Sequence, residues 1–177
     1  MKEVLNQEGI AEALQQIAEQ LKPVITGKKV AFIGLLRRGD IVAERLVTLL
    51  AEDDTVEFFL GSIDVSLYRD DLNQLEKAPQ LLGSHIDFAL DDVHLILVDD
   101  VLFSGRTIRA ALDAITDYGR PQKIELAVLI DRGHRELPIA PDYVGLTLET
   151  AKEDRVIVNL DRSEDHESVE LHSNHSL

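Results

Sequence analysis

The sequence predicts an α/β fold around a mainly parallel central sheet flanked by helices, and three observations carry that expectation. Apolar stretches of strand length alternate with amphipathic stretches of helical period along most of the chain. No internal repeat or linker divides the 177 residues, so a single domain over residues 1–162 is expected. Apolar residues make up 45% of the chain, enough to fill one sizeable core.

Taken in order, residues 8–22 set Ile10, Leu14, Ile17, Ala18 and Leu21 on one face with Glu and Gln opposite, which predicts a helix. Residues 30–36 form an apolar run between Lys29 and Arg37 and read as a buried strand. Ile41, Val42, Leu46, Leu49 and Leu50 mark a second amphipathic helix. Residues 56–60 and 63–68 read as strands, the latter alternating in polarity. The polar stretch 69–92, with Pro79 and Gly83, is a long excursion of the kind that serves as a lid, or else an exposed hairpin. Residues 94–98 are the clearest buried strand. A helix over 104–118 follows, stopped by Gly119-Arg120-Pro121. Residues 124–130 form the next strand, 131–142 a loop rich in charge and proline, and 143–146 and 156–160 the last strands. From Asp161 onward the chain is polar and is expected to fray, with 163–177 a disordered tail. Its histidines His166, His172 and His175 lie in polar sequence and do not read as a metal site.

Acidic residues outnumber basic ones 33 to 18, a formal charge of -15. Such a field repels polyphosphate, so a phosphate site has to be built locally from amides, a few arginines and a metal ion. It also argues against sequence-independent nucleic-acid binding, which works by neutralising phosphates. The absence of cysteine excludes disulfides and thiolate metal sites. The first twenty residues are polar and acidic, unlike a targeting segment, and no apolar run approaches the ~20 residues that span a bilayer. A soluble, cytoplasmic protein with no membrane partner is expected.

The chemistry concentrates in residues 94–107. Asp99 and Asp100 end an apolar strand, and Ser104-Gly105-Arg106-Thr107 opens a helix. In open parallel sheets ligands bind beyond the carboxyl ends of strands, and a helix N-terminus offers amides to a phosphate. Gly105 permits close approach of the backbone, and Ser104 and Thr107 add hydroxyl donors. Carboxylates accept hydrogen bonds from ribose hydroxyls and hold a hydrated Mg2+ through water. Ordinary turn and cap chemistry accounts for the fragments but not for the whole ordered run. A Walker loop and a dinucleotide fingerprint are both absent.

Residues 95–107 resemble the signature by which type I phosphoribosyltransferases bind phosphoribosyl pyrophosphate (PRPP). More narrowly, the chain resembles the PyrR family of bifunctional pyrimidine operon attenuation regulators and uracil phosphoribosyltransferases. Residues 64–72, 97–109, 119–121, 126–138 and 142–145 carry the likeness. The Asp131-Arg132-Gly133-His134-Arg135-Glu136-Leu137-Pro138 element is specific to that family.

The resemblance implies a type I fold with a small hood over the base, PRPP and uracil as substrates, UMP and pyrophosphate as products, Mg2+ as cofactor, and a homo-oligomer. It assigns PRPP to Asp99, Asp100, Val101, Leu102, Phe103, Ser104, Gly105, Arg106 and Thr107. Pyrophosphate falls to Leu36, Arg37, Arg38 and Gly39, where Arg37 replaces the usual Thr. Asp100, Arg69 and Arg38 are the catalytic set, with Arg69 opening a flexible loop over 69–92. The hood is 131–142, where Asp131, Arg132, Gly133, Pro138 and Ile139 meet the base, mainly through backbone groups. Asp131 and Arg132 are alternatively residues that hold the loop's shape. The resemblance also implies binding of pyrimidine leader mRNA promoted by uridine nucleotides, with Arg37, Lys152 and Arg155 as candidates. The first helix carries no Arg and only Lys22, so this second role stays open. A nucleotide sensor with little catalysis and a purine phosphoribosyltransferase are the alternatives.

Overall fold

The computed structural model describes residues 1–51, 55–68, 83–163 and 166–173. Its centre is a parallel sheet of five strands: β2 (Lys29–Leu35), β3 (Glu57–Ile63), β4 (His94–Leu102), β5 (Lys123–Asp131) and β6 (Tyr143–Thr147). They lie in the order β3-β2-β4-β5-β6, so β2, β4 and β5 are neighbours at the middle. Alternate side chains of these strands enter two different cores. Val30, Phe32, Ile96 and Val98 pack with helices α1 (Gln7–Ile25) and α2 (Gly39–Leu50). Ala31, Ile33, Leu95 and Leu97 pack with α3 (Arg106–Ile115). Burial on both faces explains why the central strands read as unbroken apolar runs. Each fully buried Ile, Leu or Phe contributes roughly 1.5–3 kcal/mol.

The helices carry their own start signals. The Asn6 side chain accepts a hydrogen bond of 2.9 Å from the Gly9 N–H and caps α1. This helix runs three residues past its expected end, through Pro23 to buried Ile25. In contrast, α3 stops at Ile115, short of the expected 118, and Thr116–Tyr118 close it with turn hydrogen bonds.

Three expectations need correction. The alternating residues 63–68 are not a strand: β3 ends at Ile63, where the Asp64 carboxylate accepts from the Ser66 N–H at 2.9 Å and turns the chain. The acidic pair lies inside β4, which continues to Leu102 because its pairing with β5 extends to Leu102 and Asp131. Finally, the tail is not wholly frayed. β1 (Lys2–Asn6), β7 (Arg155–Asn159) and β8 (Ser168–His172) form a second, antiparallel sheet in the order β1-β8-β7. Val158 and Val169 of this sheet are buried in the α1/α2 core, which supplies the apolar driving force for a segment of polar composition. Among the described residues no helix is long and apolar enough to cross a membrane.

Candidate active site

The site grows from the C-terminal ends of the adjacent strands β2, β4 and β5. The first loop, residues 36–39, joins β2 to α2. Gly39 lies so close to β4 that a Cβ would sit 2.6 Å from the Val98 carbonyl oxygen and 3.1 Å from the Asp99 Cα. Only glycine permits that approach, which seats the loop directly against the acidic pair. Arg38 precedes α2 with φ of 74°, a left-handed conformation unusual for a side chain of its size. Its guanidinium Nη1 reaches to 3.9 Å from the Asp100 Oδ2. Arg37, beside it, is exposed.

Asp99 is buried and Asp100 half-buried at the end of β4. The Asp100 N–H donates to Asp99 Oδ1 and the Val101 N–H to Asp100 Oδ1, each at 2.9 Å. Burial pushes the Asp100 carboxyl above its ordinary range, outweighing the lowering by Asp99, Arg38 and the Val101 amide. Beyond it, Phe103 and Ser104 lead to Gly105, which caps α3 with φ of 92° and no side-chain cap. The first-turn amides of α3 therefore face the carboxyl ends of β4 and β5, with the Ser104 and Thr107 hydroxyls beside them.

The third loop, residues 131–139 after β5, is locked onto the second. The N–H groups of Glu136 and Leu137 donate to the Ser104 carbonyl at 2.9 and 3.2 Å. Arg135 donates to the carbonyls of Phe103 (2.8 Å) and Ile139 (3.0 Å) and to Asp131 Oδ2 (2.7 Å). Asp131 Oδ1 also accepts from the Gly133 N–H at 3.0 Å. Arg132 is buried: it donates to the carbonyls of Asp154 (2.7 Å), Ala151 (2.9 Å) and Lys152 (3.2 Å). Both the Asp131 and the Arg132 side chains are thus engaged in holding the loop's shape. Pro138 is exposed and Ile139 packs against Gly105.

Set against known proteins, residues 1–163 match the phosphoribosyl transferase domain family. The chain is 49% identical over 170 residues to the "Bifunctional protein PyrR" of Akkermansia muciniphila, covering 96% of this chain and 95% of that protein. It is 47% identical to the protein of the same name from Deinococcus radiodurans, covering 95% and 92%. The chain belongs to the PyrR family. Solved structures share the fold at much lower identity. The hypoxanthine phosphoribosyl transferase of Trypanosoma cruzi superposes with a TM-score of 0.73 at 18% identity, over 97% of this chain and 91% of that one. The Staphylococcus aureus hypoxanthine phosphoribosyltransferase gives 0.67 at 18%, over 85% and 79%.

Among the residues that the PyrR resemblance singled out, 36–39, 99–107 and 131–139 come together. Arg69 and most of the 69–92 excursion lie outside the described residues. The nucleic-acid candidates are dispersed. Lys152 pairs with Glu136 at 3.4 Å, which also accepts from Arg106 Nε at 2.9 Å. Arg155 starts β7 and Arg37 sits on the β2–α2 loop. The exposed face of α1 presents Glu8, Glu12, Gln15, Gln16 and Glu19, and Lys22 is paired with Glu19 at 2.9 Å. Sequence reasoning missed Arg135 and Glu136 as organisers of the loop; the i,i+4 spacing of Asp131 and Arg135 was the available signal.

The donor set also bears on the metal. No group of three or more His, Cys, Asp or Glu that could hold an ion occurs among the described residues, so an all-protein cage does not fit. Two carboxylates with room for water do fit Mg2+, which keeps several waters and takes the rest of its oxygens from phosphates.

Proposed function

We propose that this PyrR-family chain is a cytoplasmic uracil phosphoribosyltransferase, making UMP and pyrophosphate from uracil and PRPP. The observation that carries this reading is the seating of Arg38 and Gly39 against Asp99 and Asp100, one loop away from the N-terminus of α3. A sugar held at the acid pair has its 5'-phosphate at the amides of 104–107 and its diphosphate toward Arg38. Uracil N1 bonds to the anomeric carbon as the bond to the diphosphate oxygen breaks. The electron pair leaves with pyrophosphate and the N1 proton passes to solvent.

Asp99 and Asp100 orient the ribose and its bound waters, so their contribution is positional. Arg38, with Arg69 as the resemblance assigns it, offsets charge growing on the leaving diphosphate. Asp99 and Asp100 would hold a hydrated Mg2+, which would supply further electrostatic stabilisation of that leaving group. Backbone donors and acceptors of 133–139 suit the carbonyl–NH–carbonyl edge of uracil, and cytosine would leave them unpaired. Measuring pyrophosphate release with uracil, hypoxanthine and adenine tests the reading. Uracil-dependent release supports it, and release with a purine alone overturns it.

The word "bifunctional" in the relatives' names favours a second role, regulation of pyrimidine operon transcription through leader mRNA and uridine nucleotides. The acidic α1 and the paired Lys152 leave few phosphate contacts for it. Filter binding of a pyrimidine leader RNA with and without UMP decides the matter: no UMP-dependent retention at low salt removes this role.

A further inference from the structure

The C-terminal segment, expected to fray, is strapped to the helix that begins at the pyrophosphate loop. Arg162 donates to Asp40 and Glu44 of α2, at 2.8 Å to each. Five residues on, buried Glu167 accepts from Arg45 of the same helix at 2.8 Å, and Arg45 also donates to the Asp161 carbonyl at 2.7 Å. Between these two anchors lies His166, in a left-handed conformation with φ of 57°. It is exposed and makes no hydrogen bond with another described side chain.

His166 lines a cavity of about 250 Å3 whose other walls are Arg38, Asn159, Leu160 and Asp161. That is the share of about eight waters at ~30 Å3 each, room for a phosphoryl group with part of its hydration shell. Arg38 and His166 both line it, and His166 also borders a recess walled by Glu3, Glu8 and Glu167. Asp161 is the opposing charge: the Ser163 N–H at 3.0 Å from its Oδ1 and the nearby Arg162 keep its carboxyl below the ordinary range, so a phosphoryl group there relies on Arg38 and His166 to offset it.

We infer that His166 is a further binding residue of the diphosphate site: with Arg38 it grips a phosphoryl oxygen of PRPP or pyrophosphate, held in place by the Arg162 and Glu167 anchors. This rests on the phosphoribosyl-transfer reading above. It makes the tail segment part of the leaving-group site instead of an appendage.

The test is calorimetric titration of magnesium pyrophosphate into wild type, His166→Ala, His166→Gln and His166→Arg, with PRPP and uracil KM measured on the same proteins. Loss of one such hydrogen bond should weaken pyrophosphate binding by about fivefold in the Ala and Gln variants. His166→Arg should restore it, and PRPP KM should rise in parallel while uracil KM and Tm stay unchanged. Pyrophosphate affinity and PRPP KM within about twofold of wild type in both Ala and Gln variants would overturn the inference, as would no binding of pyrophosphate by wild type. If wild type binds pyrophosphate but releases none with uracil, the activity reading fails while the titration still decides the role of His166.

Discussion

Arg132 holds its guanidinium carbon 4.2 Å from the centre of the Phe103 ring. Because the same guanidinium donates to three carbonyls of residues 151–154, it braces the loop at Phe103 against the turn leading into β7. Arg132→Met keeps the apolar stem and leaves those carbonyls without their donor. A loss of about 3 kcal/mol is expected, lowering Tm by roughly 6–12 °C. Arg132→Lys should recover less than half, since an ammonium lacks the planar fork. Melting within roughly 2 °C of wild type for the Met variant would remove the brace.

Asp100 couples function to a stability cost. Its folded carboxyl titrates above the ordinary range because of burial, so the folded state binds more protons than the unfolded one and stability falls as pH rises through that interval. Asp100→Asn is therefore expected to raise Tm at neutral pH, with the gain vanishing below about pH 4. The same substitution should lower turnover at least about tenfold. A folded variant with wild-type turnover contradicts the assigned role.

Gly39→Ala drives a methyl into the Val98 carbonyl at 2.6 Å. Since what the methyl meets is β4 backbone and not the end of a flexible side chain, loop 36–39 must lift away from Asp99. The expected result is a rise in PRPP KM of about tenfold or more together with a Tm loss of a few degrees, as overpacking costs about 1–3 kcal/mol. An unchanged PRPP KM in steady-state assays would show that the close approach is dispensable.

The segment from β4 into α3 was legible because its signals are local: an apolar run, two acids and a glycine in order. The function class followed from it. The 63–68 error came from reading alternation without weighing Asp64, whose carboxylate captures the Ser66 amide and ends the strand. β1 and β8 were invisible for a different reason. Lys2 pairs with Leu171 and Asn6 with Ser168, so β1 exists only through a partner at the far end of the chain, and β8 is held between it and β7. The destination of Arg132 was equally hidden, since carbonyls at 151–154 carry no mark in a sequence. In the candidate site, residues 99–107 were legible by type and 36–39 only through the family resemblance, whereas the brace, Arg135 and His166 depend on loops meeting in space.

Glu167 gives a prediction with the opposite sign in pH. Burial raises its carboxyl, but hydrogen bonds from Arg45 and from the Asp161 N–H outweigh that and hold it below the ordinary glutamate range. Its stabilising effect is present above the unfolded pKa and is lost as pH falls through the folded one. Glu167→Gln should cost about 2–3 kcal/mol at neutral pH, since it leaves the Arg45 charge poorly compensated. The difference in Tm between variant and wild type should shrink steadily as pH drops below about 4.5. A pH-independent difference would mean that the carboxylate charge is immaterial.

The pairing of β1 with β8 also sets a schedule. The central sheet and its helices can assemble as soon as β6 has left the ribosome, but β1 has to wait for a strand made about 160 residues later. Until then the apolar side of α1 near Ile10 lacks Val169, and Arg45 of α2 lacks its carboxylate. A nascent chain arrested before Ser168 should accordingly hold a formed parallel sheet while its first six residues remain open to protease.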